Sequence, residues 1–172
     1  GKRCFMYFVI AFYSDAIYAS QWDNFNSIAQ HPQLIYYMNS ARKITRNFLM
    51  MELFVNGTLM RGLELNKNLE GAEFVGEFST ASCYRLYSID DVHPGMFEVD
   101  EGGVAVAGEI YRMNDETWQR VEDGEPPHLY CGPVKLDTGE TVNGILFPQE
   151  IAISNHKDIS EYGDWRKYIA SK

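Results

Sequence analysis

The sequence lacks the short motifs that mark several large enzyme classes. It contains no GxGxxG, no GxxxxGKS/T, no GxSxG and no HExxH. These motifs build the phosphate cradle, the nucleophile turn or the zinc site of their enzymes. We therefore expect neither a dinucleotide-binding enzyme nor a P-loop hydrolase, an α/β-hydrolase or a zincin.

Cysteine and histidine are scarce and scattered. Three cysteines, Cys4, Cys83 and Cys131, form no CxxC pair, which argues against a disulfide framework or a cysteine zinc site and favours a reducing cytoplasm. The four histidines stand far apart, with no two at metal-ligand spacing: His31, His93, His128 and His156. We expect no metal and no other cofactor.

Positive charge and long apolar runs are also limited. The longest apolar run, residues 4–13, is too short to cross a bilayer and resembles the core of a signal peptide. The net charge of −9 argues against a protein that binds nucleic acid through its phosphates. We expect neither a membrane nor a nucleic acid as a partner.

The charge divides the chain near residue 50. Residues 1–49 carry five basic and two acidic side chains, whereas residues 50–172 carry ten basic and 22 acidic ones. Helical spacing of apolar residues predicts a basic amphipathic helix in the first part, at Leu34, Met38, Ala41 and Phe48. Its apolar face suits packing on the same domain or on a second subunit, so a homodimer is one hypothesis.

Residues 1–49 are interpreted as a helical N-terminal extension, and residues 50–172 as the domain. An artificial leader or an over-long reading frame would explain the first part equally well. With 45% hydrophobic and 14% aromatic residues, the chain has the composition of a globular protein.

Short strands alternate with turns in the second part. Strands are predicted within residues 52–57, 72–80 and 82–89, and a hairpin across the turn 137–140. A helix over residues 114–123 has Asn114 as its cap, and Gly124 is placed to end it in a left-handed conformation. The pattern predicts an α+β domain with a mixed, mostly antiparallel, barrel-like sheet and a few short helices.

Four runs of residues carry a resemblance to a known superfamily. They are LFVNGTLMRGLELN (53–66), VHPGMFEVDEGGVAVAGEIYRM (92–113), ETWQRVEDGEPPHLYCGPV (116–134) and DISEYGDWRKYIA (158–170). Together they resemble the γ-glutamylcyclotransferase-like superfamily and, within it, look most like the C-terminal domain of allophanate hydrolase, to whose tail the last run is similar. The resemblance implies a γ-glutamylcyclotransferase-like fold.

The resemblance also implies a catalytic residue. Glu125 matches the glutamate that serves cyclotransferases as general base and acid. There the α-amine of a γ-glutamyl compound attacks the γ-carbonyl, which gives 5-oxoproline and a free amine. A carboxyl group with a pKa raised by burial suits both proton transfers.

The loop Asn56, Gly57, Thr58 and Leu59 matches the family's substrate-binding loop. Its backbone N–H groups are suited to hold a substrate carboxylate or a developing oxyanion. Arg61 is positioned in sequence to add a two-pronged carboxylate contact.

Three departures bear on substrate specificity. Asn56 replaces the family's loop tyrosine, Glu122 replaces an aspartate, and Pro126 stands where glycine commonly follows the glutamate. We favour an enzyme that acts on a γ-glutamyl amide. One alternative is an allophanate hydrolase C-terminal-type protein that acts on a urea-derived carboxylate beside an amidase partner. Another is a non-catalytic binding or assembly module, in which Glu125 is a solvated turn residue.

Overall fold

The computed structural model describes residues 50–172. The predictions made for residues 1–49, including the amphipathic helix and the apolar run, lie outside the described residues. The strands of the described part are β1 (Met51–Val55), β2 (Glu73–Ser79), β3 (Tyr84–Ile89), β4 (His93–Glu98), β5 (Ala107–Met113), β6 (Tyr130–Lys135), β7 (Thr141–Leu146) and β8 (Lys157–Asp158).

Short helices connect and cover the strands. The α-helices of the described part are α1 (Asp115–Gly124), α2 (Gln149–Asn155) and α3 (Trp165–Ala170), and 3₁₀ helices occupy Glu64–Leu69 and Ser160–Tyr162. Within residues 50–172, no helix has the length and apolar character needed to cross a membrane.

A five-stranded sheet curls towards a barrel. Its strand order is β2-β5-β1-β7-β6, with β1 and β7 parallel and the other neighbours antiparallel. The two edge strands meet just beyond their ends, because Thr80 pairs with Leu136 and the Ala81 N–H donates to the Lys135 carbonyl at 2.9 Å. The predicted mixed, barrel-like α+β fold is thereby confirmed.

A smaller antiparallel sheet, of order β4-β3-β8, adjoins this barrel. Its β3–β4 hairpin turns at Asp90 and Asp91, which both have positive φ angles, of 51° and 59°. The Tyr168 hydroxyl on α3 donates to Asp91 Oδ1 at 2.5 Å and holds this turn against the C-terminal helix. The turn that leads into the start of β4, where His93 lies, is therefore held against α3.

The core forms around β1, the middle strand of the larger sheet. Leu53, Phe54 and Val55 are fully buried, as expected for a strand covered on both faces. On the neighbouring strand a Cβ atom at Gly108 would lie 2.4 Å from the Phe54 ring and 2.4 Å from the Val55 carbonyl oxygen. Glycine at position 108 thus permits the two strands to pack closely.

Helix α1 begins as predicted but ends differently. The Thr117 N–H donates to Asn114 Oδ1 at 3.0 Å, which confirms the cap. The left-handed conformation predicted for Gly124 is wrong, because the helix runs through Gly124 without a positive φ angle. A Cβ atom there would lie 2.5 Å from Asn68 Nδ2, so the glycine serves a close contact instead. Helix α2 was not predicted.

A buried carboxylate ties the loop after β1 to the C-terminal helix. Glu109, whose side chain has no exposed surface, accepts hydrogen bonds from the Arg61 N–H at 2.8 Å and from Arg166 Nη2 at 2.8 Å. Tyr111 donates a further bond at 3.0 Å. Burial alone would raise the pKa of Glu109, but the bonds from Arg166, Arg61 and Tyr111 outweigh it and hold the pKa below its ordinary value.

Replacement of Glu109 by glutamine is expected to destabilise the domain strongly. Glu109→Gln leaves two guanidinium groups around a neutral amide, and we expect the free energy of unfolding at pH 7 to fall by about 3 kcal/mol. Urea denaturation measures this change. Because the folded-state pKa of Glu109 is lowered, its contribution is present above the unfolded-state pKa and is lost as the pH falls through the folded-state pKa.

Glu77 provides the matched control. It pairs with the same Arg61 at 2.9 Å, but 70% of its side chain is exposed. Glu77→Gln should therefore change the free energy of unfolding by less than about 1 kcal/mol. Equal effects of the two substitutions would contradict the structural role of Glu109.

Candidate active site

The loop that follows β1 has its carbonyl groups bonded and its N–H groups free. The carbonyls of Gly57, Thr58 and Leu59 accept hydrogen bonds at 2.8–3.0 Å, from the Met60 N–H, the Leu65 N–H and Asn66 Nδ2 respectively. Among the hydrogen bonds of residues 50–172, none is donated by the N–H groups of Gly57, Thr58 or Leu59. The loop therefore offers unpaired donors.

Gly57 brings this loop into contact with strand β4. A Cβ atom at Gly57 would lie 2.7 Å from both Cδ and Cγ of Pro94. Any larger residue would push the loop away from the proline ring, which cannot move aside easily. The loop and the start of β4 thus form one wall.

Glu125 is held by the end of α1 and by the prolines that follow it. Its backbone is extended, with φ −72° and ψ 140°, and its N–H donates to the Glu122 carbonyl at 3.4 Å. A residue before proline is restricted to this extended region, so Pro126 stabilises the observed conformation. The side chain is thereby directed by a stiff backbone.

Glu125 and the loop line one pocket of about 270 Å³ that opens to solvent. Its lining residues are Val55, Asn56, Gly57, Thr58, Leu59, His93, Pro94, Glu125, Leu129 and Ile145. That volume includes space that is open to solvent, so the enclosed part of the pocket is small. The structure thus brings together Glu125 and the four predicted loop residues.

Two buried polar atoms in this pocket lack hydrogen-bond partners. They are Asn56 Nδ2 and Glu125 Oε1. Every other buried side-chain nitrogen or oxygen in residues 50–172 has a hydrogen-bond partner. Asn56 is only 4% exposed. Since buried polar groups are nearly always paired, a donor and a carboxyl oxygen left free in one pocket indicate a site for a polar ligand.

The environment of Glu125 changes its acidity. Burial raises the pKa of the Glu125 carboxyl from an ordinary 4.5 to about 7. No lysine or arginine lines the pocket to oppose this effect. Near neutral pH the carboxyl is populated in both protonation states, which is the condition that a group acting as both acid and base requires.

Comparison with known proteins places the chain in a family. Residues 51–170 match the family described as the allophanate hydrolase C-terminal domain. This chain belongs to that family.

Two relatives represent the two branches of the predicted resemblance. This chain is 30% identical over 128 residues to urea amidolyase of Lachancea kluyveri, and the match covers 69% of this chain but only 7% of that protein. It is also 30% identical over 116 residues to a Vibrio cholerae protein provisionally named gamma-glutamylcyclotransferase, which covers 66% of this chain and 93% of that protein. Both parts of the resemblance are confirmed.

Solved structures show the same fold. A uropathogenic E. coli-specific protein is 42% identical, with a TM-score of 0.67, and the match covers 72% of this chain and 98% of that chain. Kluyveromyces lactis allophanate hydrolase is 25% identical, with a TM-score of 0.65, and the match covers 70% of this chain and 21% of that chain.

Arg61 lies away from the pocket of this family member. Its guanidinium pairs with Glu109 and Glu77 and stacks over the Phe74 ring at 3.8 Å from the centroid. It is not among the pocket's lining residues. The carboxylate contact predicted for Arg61 therefore finds no support in the geometry.

The pocket also contains residues that sequence reasoning did not select. His93, Pro94 and Ile145 line it, although the sequence indicated no ligand role for a lone histidine before a proline. The signal that could have found His93 is the β3–β4 hairpin. The hairpin brings the start of β4 next to the loop that follows β1, where Pro94 lies against Gly57.

The pH dependence of stability tests the buried carboxyl. Glu125 has a folded-state pKa of about 7 and an ordinary value of 4.5. Between these values the folded protein binds more protons than the unfolded chain, so the free energy of unfolding falls as the pH rises. We expect this group to lower stability by up to about 3 kcal/mol between pH 4.5 and pH 8.

Glu125→Gln should remove that decrease, so that the variant is as stable as wild type near pH 4.5 and more stable at pH 8. Denaturant unfolding across this range measures the difference. Glu122→Gln, at an exposed position on the same helix, is the control and should follow wild type. A parallel pH profile for wild type and Glu125→Gln would contradict the burial of an ionisable carboxyl.

Proposed function

We propose that this domain is an enzyme of the γ-glutamylcyclotransferase type, which transfers the acyl group of a small amide within one molecule. The observation that carries the proposal is Glu125, which has a buried, unpartnered carboxyl oxygen and lines the same pocket as residues 57–59, whose N–H groups are unpaired within residues 50–172. A proton carrier and an oxyanion site in one small pocket are the parts that amide transfer needs.

The proposed reaction uses both states of the Glu125 carboxyl. The ionised carboxylate takes a proton from the α-amine of the substrate while the amine nitrogen bonds to the γ-carbonyl carbon. The protonated carboxyl then returns the proton to the leaving nitrogen as the original C–N bond breaks. The products are 5-oxoproline and a free amine, and no cofactor enters the balance.

The loop supports the negative charge that develops on the carbonyl oxygen. Asn56 Nδ2 is a buried donor without a partner, and the N–H groups of Gly57 and Thr58 are also unpaired within the described residues. Donors fixed in place by the fold stabilise an oxyanion more than the neutral ground-state carbonyl. We assign the loop this role in preference to the binding of a carboxylate by Arg61.

A second candidate is action on a small carboxylated urea-type compound. Family membership favours it, because relatives of this chain are named allophanate hydrolase and urea amidolyase. The chain spans only a small part of these proteins: 7% of the urea amidolyase and 21% of the allophanate hydrolase. In this candidate an amidase partner supplies the substrate, and the loop donors bind it in the small pocket.

The non-catalytic candidate, a binding or assembly module, has less support. It predicts an exposed Glu125 and no pocket beside the loop, whereas Glu125 Oε1 is buried in a pocket. A homodimer through residues 1–49 and a cytoplasmic location both stay predictions.

Release of 5-oxoproline tests the first candidate. Purified protein is incubated with a panel of γ-glutamyl amines and dipeptides, and 5-oxoproline is quantified by chromatography. We expect turnover by wild type and by the control Glu122→Gln, and a loss of about 10²- to 10⁴-fold in Glu125→Gln.

A folded wild-type protein without turnover on this panel would contradict the first candidate. Turnover of a carboxylated urea, with the same dependence on Glu125, would then support the second. Turnover that survives Glu125→Gln would remove Glu125 from the mechanism.

A further inference from the structure

His93 is the second titratable side chain of the pocket. Of the ten residues that line it, Glu125 and His93 are the two with groups that ionise between acidic and neutral pH. His93 opens strand β4 and is only 6% exposed. Sites with an acid and a base commonly pair two titratable groups in different environments.

One hydrogen bond fixes the tautomer of the His93 ring. Its Nδ1 lies 3.0 Å from the Pro94 carbonyl oxygen. A carbonyl oxygen only accepts hydrogen bonds, so Nδ1 carries the proton. In the neutral ring Nε2 is then an unprotonated acceptor, and it has no hydrogen-bond partner among residues 50–172.

The groups around His93 lower the pKa of its ring overall. Burial lowers the pKa of His93, and the charge of His156, which follows α2, acts in the same direction. The Pro94 carbonyl and Asp90, from the adjacent turn, oppose this effect without reversing it. Glu125 is the other ionisable group that lines the same pocket.

The position of His93 relative to the loop is also fixed. The neighbouring Pro94 ring packs against Gly57 closely enough that a Cβ atom there would lie 2.7 Å away. The Phe147 ring, at 6.1 Å between centroids, supports the imidazole from another side. The ring therefore has little freedom to leave the pocket wall.

We propose that His93 is a second catalytic residue, whose Nε2 atom accepts the proton of the attacking amine while the Glu125 carboxyl donates its proton to the leaving nitrogen. This inference rests on the proposed function and divides its two proton transfers between two residues: His93 Nε2 replaces the Glu125 carboxylate as the base, and Glu125 is protonated at the start and acts as the acid. In the step, the new C–N bond forms as the amine proton passes to Nε2, and the old C–N bond breaks as the carboxyl proton passes to the leaving amine. The imidazolium then returns one proton to the Glu125 carboxylate.

The substitution His93→Asn separates the chemical role from the structural one. The asparagine Nδ2 occupies nearly the position of the histidine Nδ1 and can still donate to the Pro94 carbonyl, but no atom replaces Nε2. We expect kcat on a γ-glutamyl substrate to fall by about 10²-fold or more, with a smaller change in KM.

His128→Asn is the matched control. The His128 ring contacts the same Phe147 ring, at 6.3 Å between centroids, but does not line the pocket. Asparagine tolerates the left-handed backbone found there, with φ 72°. We expect kcat within about twofold of wild type. An unchanged kcat in His93→Asn, with activity lost in Glu125→Gln, would overturn the role of His93 and leave the proposed function standing.

A measurement without turnover tests the pair itself. The ring signals of His93 are followed by NMR from pH 5 to pH 9 in wild type and in Glu125→Gln. If the two side chains act on one substrate, ionisation of Glu125 changes the environment of the His93 ring, so the wild-type signals should include a step that Glu125→Gln lacks. Identical curves for His93 would overturn the inference. Coupled curves without release of 5-oxoproline would support the pair and reject the proposed reaction.

Discussion

The buried carboxylate of Glu109 is the interaction on which the rest of the domain depends. It lies on β5 and accepts hydrogen bonds from Arg61, from Arg166 and from Tyr111. Arg166 Nη2 also donates to the Arg61 carbonyl at 2.8 Å, which joins α3 to the loop after β1. The free N–H donors of loop 56–59 are therefore held in place by a residue that does not line the pocket. The buried charge of Glu109 is tolerated because both carboxylate oxygens accept hydrogen bonds.

Glu109 and Glu125 show how surroundings decide what a glutamate does. Hydrogen bonds from two arginines keep the pKa of Glu109 below its ordinary value although its side chain is fully buried. Burial without a partner raises the pKa of Glu125 to about 7. The first carboxylate stabilises the fold, and the second costs stability at neutral pH. Functional sites often contain groups that reduce the stability of the folded protein.

Much of the fold was predictable from the sequence, and the site was predictable in part. Alternating apolar residues and turn residues located β3 and the β6–β7 hairpin, because these signals are local. The resemblance placed Glu125 beside loop 56–59. The sequence gives no local signal for the pairing of Arg61 with Glu109, because the two residues are 48 positions apart. His93 was passed over for the same reason, since only the folded hairpin brings it to the pocket. Gly124 was misjudged because its contact with Asn68 is tertiary.

Direct titration of the Glu125 carboxyl decides whether the pocket holds a proton carrier suited to neutral pH. Carbon-13 NMR of the glutamate side-chain carboxyl groups would follow it from pH 3 to pH 9, and its signal is assigned by its absence in Glu125→Gln. Burial without a partner predicts a midpoint of about 7. A midpoint near the ordinary value of 4.5 would show that water reaches the carboxyl freely, and would contradict its role as the acid and base of the site.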